Sequence, residues 1–275
     1  MTSFMSSHYL EDMSSPRQNS QACPLVRLNK ALAQAGICSR RAADALILSG
    51  EVQVNGHVVR TLGTRIALGQ DRVSVRGESV CLSQSPVRDH LYLAMNKPLE
   101  VVTTARDPQK RQTVLELLPA DLQRQRPFPV GRLDRMSEGL ILLTTDGELT
   151  LRLTHPRYEH PKIYHVWVRG RFIPEKLQTM RSGMRLAEGE QLAPVQVRPL
   201  RREAGTTLLE MILRQGVNRQ IRRMCRDLHL HVLRLVRVQH GPVSLNGLAP
   251  GAWRHLHPDE IQHLQLIFNH QGNPR

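Results

Sequence analysis

No run of about eighteen apolar residues occurs in this 275-residue chain, which excludes a helix that spans a bilayer. The N-terminal stretch from Met1 to Ser20 is polar and lacks the apolar core of a secretory signal. Cysteine is scarce. Cys23, Cys38, Cys81 and Cys225 are widely spaced and form no C-x-x-C pair, so they read as reduced thiols of a cytosolic protein. The 13 histidines invite a metal reading. Yet the sets His155/His160/His165, His229/His231 and His255/His257 lack the two-plus-two spacing of a zinc site, and Cys225 is the one cysteine near any of them. Neither a metal motif nor a dinucleotide-binding motif is present.

What the chain does have is positive charge. Its formal net charge of +14 implies a polyanionic partner, although charge alone does not separate RNA, DNA and an anionic membrane. A hydrophobic content of 40% supports a real core, and the length suits one large or two modest domains. Residues 1–23 are rich in Ser, Gln and Asn without periodicity and read as a disordered tail.

Residues 24–87 read as a small domain. Leu28, Ala31, Leu32 and Ala35 recur at helical spacing up to Gly36. Ser39 can cap a second helix that buries Ala43, Leu46 and Ile47 and stops at Gly50. Val52 and Val54 then alternate into Asn55-Gly56, a strong hairpin signal, and Val73 and Val75 make a further strand. Eight Lys/Arg stand against four Asp/Glu over 25–87, which fits a surface that follows phosphates. Positive charge is unfavourable near a helix N-terminus, so Arg40 and Arg41 point to a use other than stability. The polar stretch Ser83 to Asp89, with Pro86, reads as a linker.

Residues 88–275 read as a second domain. Strands are expected at 91–95, 101–104, 140–145, 162–169, 208–213 and 232–238. Helices are expected around Val114 to Leu118, through Leu149 and Leu153, from Pro174 to Arg181, and over 219–228. Strands outnumber helices without regular alternation, which argues an α+β domain with a mostly antiparallel sheet.

The most informative stretch is Gly131-Arg132-Leu133-Asp134-Arg135-Met136-Ser137-Glu138-Gly139. It sets an Asp in a glycine-bounded polar loop, between cations, immediately before the apolar run Leu140-Ile141-Leu142-Leu143. Such a run reads as a buried strand. The Asp is therefore held beside the core, as a nucleophile or base requires. A second signal is the segment 219–228, where Ile221, Met224, Cys225 and Leu228 share one helical face and Arg219, Arg223 and Arg226 the opposite one. Arg222 falls on the border, where its stem can pack while its head reaches a cleft. From Arg214 to Arg237 there are seven Arg and one acid, Asp227, which favours nucleic acid over a merely solvated face.

Three ordered segments carry a resemblance. GRLDRMSEGLILLTTDGEL, Lys162-Ile163-Tyr164 and Gly216-Val217-Asn218-Arg219-Gln220-Ile221-Arg222-Arg223-Met224 resemble the pseudouridine synthases of the branch named after RsuA. RLNKALAQAGICSRRAADALILSGEVQVNG resembles the RNA-binding module first seen in the fourth small-subunit ribosomal protein. The resemblance implies the pseudouridine synthase fold, a long mixed sheet with helices on its flanks. It implies isomerisation of uridine to pseudouridine in ribosomal RNA by base flipping, with no cofactor; a monomer in the cytoplasm is the default expectation. It makes Asp134 the essential residue. Tyr164 would stack on the uracil, Arg222 would pair with the Asp, and Leu235 would line the pocket. Arg27, Lys30, Ser39, Arg40 and Arg41 in the first module would face RNA. So would Arg132, Lys162, Asn218, Arg219, Arg223 and Arg226 in the second domain, with Arg132 equally open to a salt bridge that props the loop. The wording of 216–225 is nearer to the large-subunit members RluF and RluB than to RsuA, which favours large-subunit RNA; small-subunit RNA and transfer RNA stay open. His240 and Ala252 stand where the family leads one to expect Ile and Glu, at positions read as remote from the motif residues.

Two other classes remain open at this point. A glycosidase would need a second carboxylate, for which Glu138 is the candidate. A non-catalytic RNA-binding or ribosome-assembly protein would have no need of Asp134, Tyr164 and Arg222 together.

Overall fold

The computed structural model describes residues 25–82, 90–171, 173–203 and 205–269. The expected tail and the linker Ser83 to Asp89 lie outside the described residues. The chain divides into two compact units, one ending at Arg88 and the other beginning at Asp89.

The first unit runs β1 (Leu25–Arg27), α1 (Leu28–Gln34), α2 (Arg40–Ser49), β2 (Val52–Val54), β3 (His57–Val58), β4 (Arg65–Ala67), β5 (Val73–Val75) and β6 (Glu78–Val80). Local chemistry explains the breaks. The Ser39 hydroxyl accepts from the Ala42 amide and so caps α2, and Gly50 ends that helix at φ 77°. Asn55 and Gly56, at φ 53° and 82°, turn β2 into β3. Leu28, Leu32, Ala43, Ile47, Val52, Ile66 and Val73 form the core between the helices and the small sheet. Arg27 is the last residue of β1 and the N-cap of α1.

The second unit runs β7 (Tyr92–Lys97), α3 (Ala120–Arg124), β8 (Phe128–Pro129), β9 (Glu138–Thr144), α4 (Gly147–Thr154), β10 (Lys162–Arg169), α5 (Pro174–Ser182), β11 (Gln196–Glu203), β12 (Thr206–Leu213), α6 (Gln220–Asp227), β13 (His231–His240), β14 (Val243–Ser244), β15 (Trp253–His255) and α7 (Pro258–Asn269). The main sheet has the order β11-β12-β10-β13-β9-β7-β15, antiparallel except for the β13–β9 pair. This is the expected α+β architecture.

Strand β9 is buried along its whole length. Ile141 and Leu143 face one core with Leu93 and Met95, while Leu140 and Leu142 face another with Leu149 and Val243. A strand covered on both faces reads as a continuous apolar run, which is why 140–143 shows no alternation. Asp146 caps α4, its carboxylate accepting from the amides of Glu148 and Leu149 at 2.9 and 3.0 Å.

Two expectations are corrected. Residues 101–104 do not form a full strand: Val102 makes an isolated bridge with Thr113, and the Thr103 hydroxyl is engaged with the backbone of Leu133. The stretch Val114 to Leu118 is a series of turns, closed by Glu116 N to Thr113 O and Leu118 N to Leu115 O. Pro119 disfavours helical geometry at the residue before it, so the helix α3 starts after it.

Candidate active site

Asp134 lies at the start of a turn that leads into β9, closed by the Ser137 amide donating to the Asp134 carbonyl at 3.0 Å. The loop is pinned from below. Lys97, the last residue of β7, is fully buried. Its ammonium donates to the carbonyls of Pro98 (2.7 Å), Ser137 (2.8 Å) and Arg135 (3.4 Å). Burial pushes the Lys97 ammonium down to about 8, opposed by the carboxylates of Glu138 and then Asp134. On the other side of the loop, the Thr103 hydroxyl donates to the Leu133 carbonyl at 2.9 Å and accepts from the Leu133 amide at 3.3 Å. The backbone on both sides of the Asp is therefore tied to neighbouring elements.

Gly139 explains how the loop reaches the sheet. It sits at φ 103°, and a Cβ there would stand 2.3 Å from the carbonyl oxygen of Arg237 on β13. A side chain would push β13 away from β9. The register pairs Glu138 with Val236 and Gly139 with Arg237, and on the far edge of β13 Arg237 pairs with Tyr164 and Leu235 with Val166. Tyr164 is thus brought to the Asp134 end of β9 by two strand pairings. Its ring is half-buried against the core made by Val166, Val168, Leu209, Met211 and Leu235, in phase with Val166 and Val168 as expected. Leu235 is buried in the same core.

Helix α6 supplies the cations. Ile221, Met224 and Cys225 are buried, which confirms the apolar face. Arg222 donates to the Met136 carbonyl and lies 3.5 Å from the Ser137 hydroxyl. Burial lowers its pKa, opposed by the nearby Asp134 carboxylate. The ion pair itself is made by another residue. Arg219 Nε stands 4.0 Å from Asp134 Oδ2, with both side chains partly exposed. Arg219, expected on phosphate, is the N-cap of α6 and is held in the left-handed region at φ 48°. A non-glycine residue there costs about 1 kcal/mol, a strain that accumulates at functional sites. Arg222 thus braces the loop, and Arg219 faces the carboxylate.

The rest of the expected RNA set divides. Arg132 is exposed, and among the described residues it makes no ion pair, so the loop-propping salt bridge is not formed. Asn218 is exposed, its carbonyl accepting from Arg223 at 3.3 Å. Arg223 and Arg226, however, are engaged within the chain. Arg223 pairs with Glu188 and Glu190, and Arg226 with Glu188 and Asp227. The guanidiniums of Arg226 and then Arg223 hold Glu188 down to about 2. In the first unit Arg27, Lys30, Arg40 and Arg41 are exposed, and Ser39 is occupied as the cap of α2.

Lys162 is half-buried and donates to the His160 carbonyl at 3.2 Å. Burial and then the Arg237 guanidinium push it down to about 8. It pairs in register with His240, so His240 is not remote from the motif residues. His240 is fully buried and its pKa is well below the usual value, through burial and then the charges of Arg237 and Lys162. Arg237 is also buried, its Nε donating to the Leu140 carbonyl at 2.7 Å.

Glu138 cannot serve as a free second carboxylate. Arg234 donates to both of its oxygens, at 2.8 and 3.3 Å, and lies over the Trp167 ring at 5.1 Å. Lys97 and Arg219 are the site residues that motif reading missed or misassigned. The one available signal for Lys97 was a Lys-Pro step ending an apolar strand, which is weak by itself.

Comparison with known proteins places this arrangement. The family model for RNA pseudouridylate synthase matches residues 91–227, and that for the S4 domain matches 26–73. An uncharacterized RNA pseudouridine synthase of Aquifex aeolicus is 42% identical over 240 residues, covering 87% of this chain and 93% of that protein. Ribosomal large subunit pseudouridine synthase B of Bacillus subtilis is 37% identical, covering 90% of this chain and 98% of that protein. The dual-specificity RNA pseudouridine synthase RluF of Escherichia coli is 36% identical, covering 89% and 80%. A crystal structure of a pseudouridylate synthase superposes with a TM-score of 0.63 at 26% identity, covering 87% of this chain and 99% of that one. With its S4 domain in front and its Asp loop, aromatic strand and basic helix on one sheet, the chain belongs to the RNA pseudouridine synthase family.

Proposed function

We propose that this protein isomerises one uridine, or a small set of uridines, in ribosomal RNA, with the large subunit as the preferred substrate and Asp134 as the essential residue. The observation that carries the reading is the braced carboxylate. Asp134 projects from a loop whose backbone is held by Lys97, Thr103 and Arg222, and it faces the Arg219 guanidinium at 4.0 Å. A positioned acid of this kind is what a bond-breaking step at a sugar carbon needs, and a protein that only binds RNA does not.

The uridine leaves its stack and enters beside Asp134. Stacking on Tyr164 partly replaces the stacking it gives up in the RNA. The base's N1–C1′ bond breaks, the base turns, and C5 joins C1′. The proton leaves C5, and N1 ends with one, so no group is added and no electrons are exchanged. Arg222 holds the loop, while Lys162, Arg132 and the exposed arginines of the S4 domain bear on phosphate. The names of the Bacillus subtilis and Escherichia coli relatives support RNA as the substrate, and the first of them supports the large ribosomal subunit. Among the described residues no helix is long and apolar enough to cross a membrane. A monomer in the cytoplasm fits an enzyme of ribosomal RNA.

The test is Asp134→Asn, with pseudouridine read by mass spectrometry after chemical tagging. Product should vanish while RNA affinity stays close to that of the wild type. Appreciable turnover by the variant contradicts the reading.

A further inference from the structure

Two large apolar side chains are exposed beside the candidate carboxylate. Met136 is 51% exposed and Leu99 is 45% exposed. Met136 occupies the turn that begins at Asp134, closed by Ser137 N to Asp134 O. Leu99 occupies the turn that follows β7. The two turns are cross-linked. The Glu100 amide donates to the Arg135 carbonyl at 2.9 Å, and the Arg135 guanidinium lies 3.6 Å from the Glu100 carboxylate. Beneath them, the Lys97 ammonium bonds the Pro98 carbonyl of one turn and the Arg135 and Ser137 carbonyls of the other. The Met136 carbonyl is fixed by Arg222. The backbones are therefore rigid, and the two side chains are left projecting from them.

We propose that Met136 and Leu99 form an apolar lip that packs against the faces of the RNA bases next to the extruded uridine. This rests on the functional reading above. The cations around the site, Arg132, Arg135 and Arg219, suit phosphate and carboxylate, but none of them replaces an apolar face. A flipped uridine leaves its former stacking neighbours uncovered. Apolar side chains, Met among them, are what proteins place against opened base steps. A thioether is polarisable, adaptable in shape, and favourable against an aromatic ring. The position matters as much as the chemistry, since Met136 lies two residues from Asp134 on the same fixed turn.

The test uses the full chain and transcribed large-subunit ribosomal RNA free of modification. Met136→Gln and Leu99→Asn keep length and replace an apolar surface by a polar one, and the backbone bonds of both turns do not involve either side chain. The double variant should raise KM about tenfold and leave kcat nearly unchanged, since a thioether or alkyl contact with a base is weaker than ring-on-ring stacking. Met136→Leu, which keeps an apolar surface, should keep KM close to the wild-type value, which a role resting on the sulfur alone would not do. Thermal melting confirms that each variant is folded. If the wild type forms pseudouridine and the double variant has the same KM, the lip does not touch RNA and the inference is overturned. An unchanged KM with altered sedimentation assigns the lip to a protein interface and overturns it as well. If the wild type forms no pseudouridine, the functional reading fails first and takes the lip with it.

Discussion

Arg219 Nε lies 4.0 Å from Asp134 Oδ2, whereas Arg222 spends its guanidinium on the carbonyl of Met136 two residues further on. The two arginines of one helix start thus divide the work, one facing the carboxylate and one holding the loop that carries it. Arg219→Ala should therefore act on the chemistry, and Arg222→Ala on the placement of the loop as well. Steady-state kinetics and melting measured together separate them. Arg219→Ala should lower kcat with an unchanged melting point, while Arg222→Ala should lower both.

Lys97 is the buried brace of the same loop, and removing it should be costly. Lys97→Met leaves the carbonyls of Pro98 and Ser137 without the donor they have now. Each such orphan costs about 1–3 kcal/mol, so urea unfolding should show a loss of about 3 kcal/mol. The kcat should fall more than KM rises, since the group displaced is Asp134 and not a group that binds RNA. An unfolding free energy equal to that of the wild type contradicts the role given to Lys97.

His240 should make the protein acid-sensitive. Its folded-state pKa is well below the usual His value because it is buried and faces Arg237, Lys162 and His160. As pH falls below about 6.5, the unfolded chain takes up a proton that the folded protein refuses. The stability that neutral His240 allows is therefore present above that pH and lost below it, at up to about 1.4 kcal/mol per pH unit. His240→Ile should flatten the decline between about pH 6.5 and 5, read from unfolding curves at each pH. Parallel curves for the two proteins would show that His240 has no part in it.

Salt dependence should separate the free arginines from the engaged ones. Arg40→Ala with Arg41→Ala should weaken RNA binding and flatten its salt slope by about 0.7 for each single-strand phosphate that is no longer neutralised. Arg223 and Arg226 already hold Glu188, Glu190 and Asp227. Glu188→Gln with Glu190→Gln should release Arg223 and leave Arg226 with Asp227 alone, tighten binding and steepen the slope. Equal slopes in all of these proteins would contradict the division.

The parts of this structure that were legible from sequence are those in which one short segment settles its own conformation. Ser39 and Gly50 bracket α2, Asn55-Gly56 closes a hairpin, and the run 140–143 is apolar because both of its faces are covered. The face of α6 and the border position of Arg222 follow from helical spacing. What escaped depends on partners distant in sequence. Arg223 looks free until Glu188 and Glu190 fold beside it from 35 and 33 residues away. Lys97 is a lone cation at a strand end until the Ser137 carbonyl, 40 residues later, meets it. His240 is a polar letter in a strand, and its burial against Lys162 comes from sheet register, which spacing does not reveal. Between 101 and 118, hydrophobicity without periodicity suggested a strand and a helix where Thr103, Thr113 and Pro119 impose turns.

The most direct measurement is pseudouridine mapping of total ribosomal and transfer RNA from cells lacking the gene, complemented with either the wild type or Asp134→Asn. The expected result is a missing site in large-subunit ribosomal RNA that the wild type restores and the Asn variant does not. Restoration of that site by Asp134→Asn would contradict an Asp134-centred isomerisation.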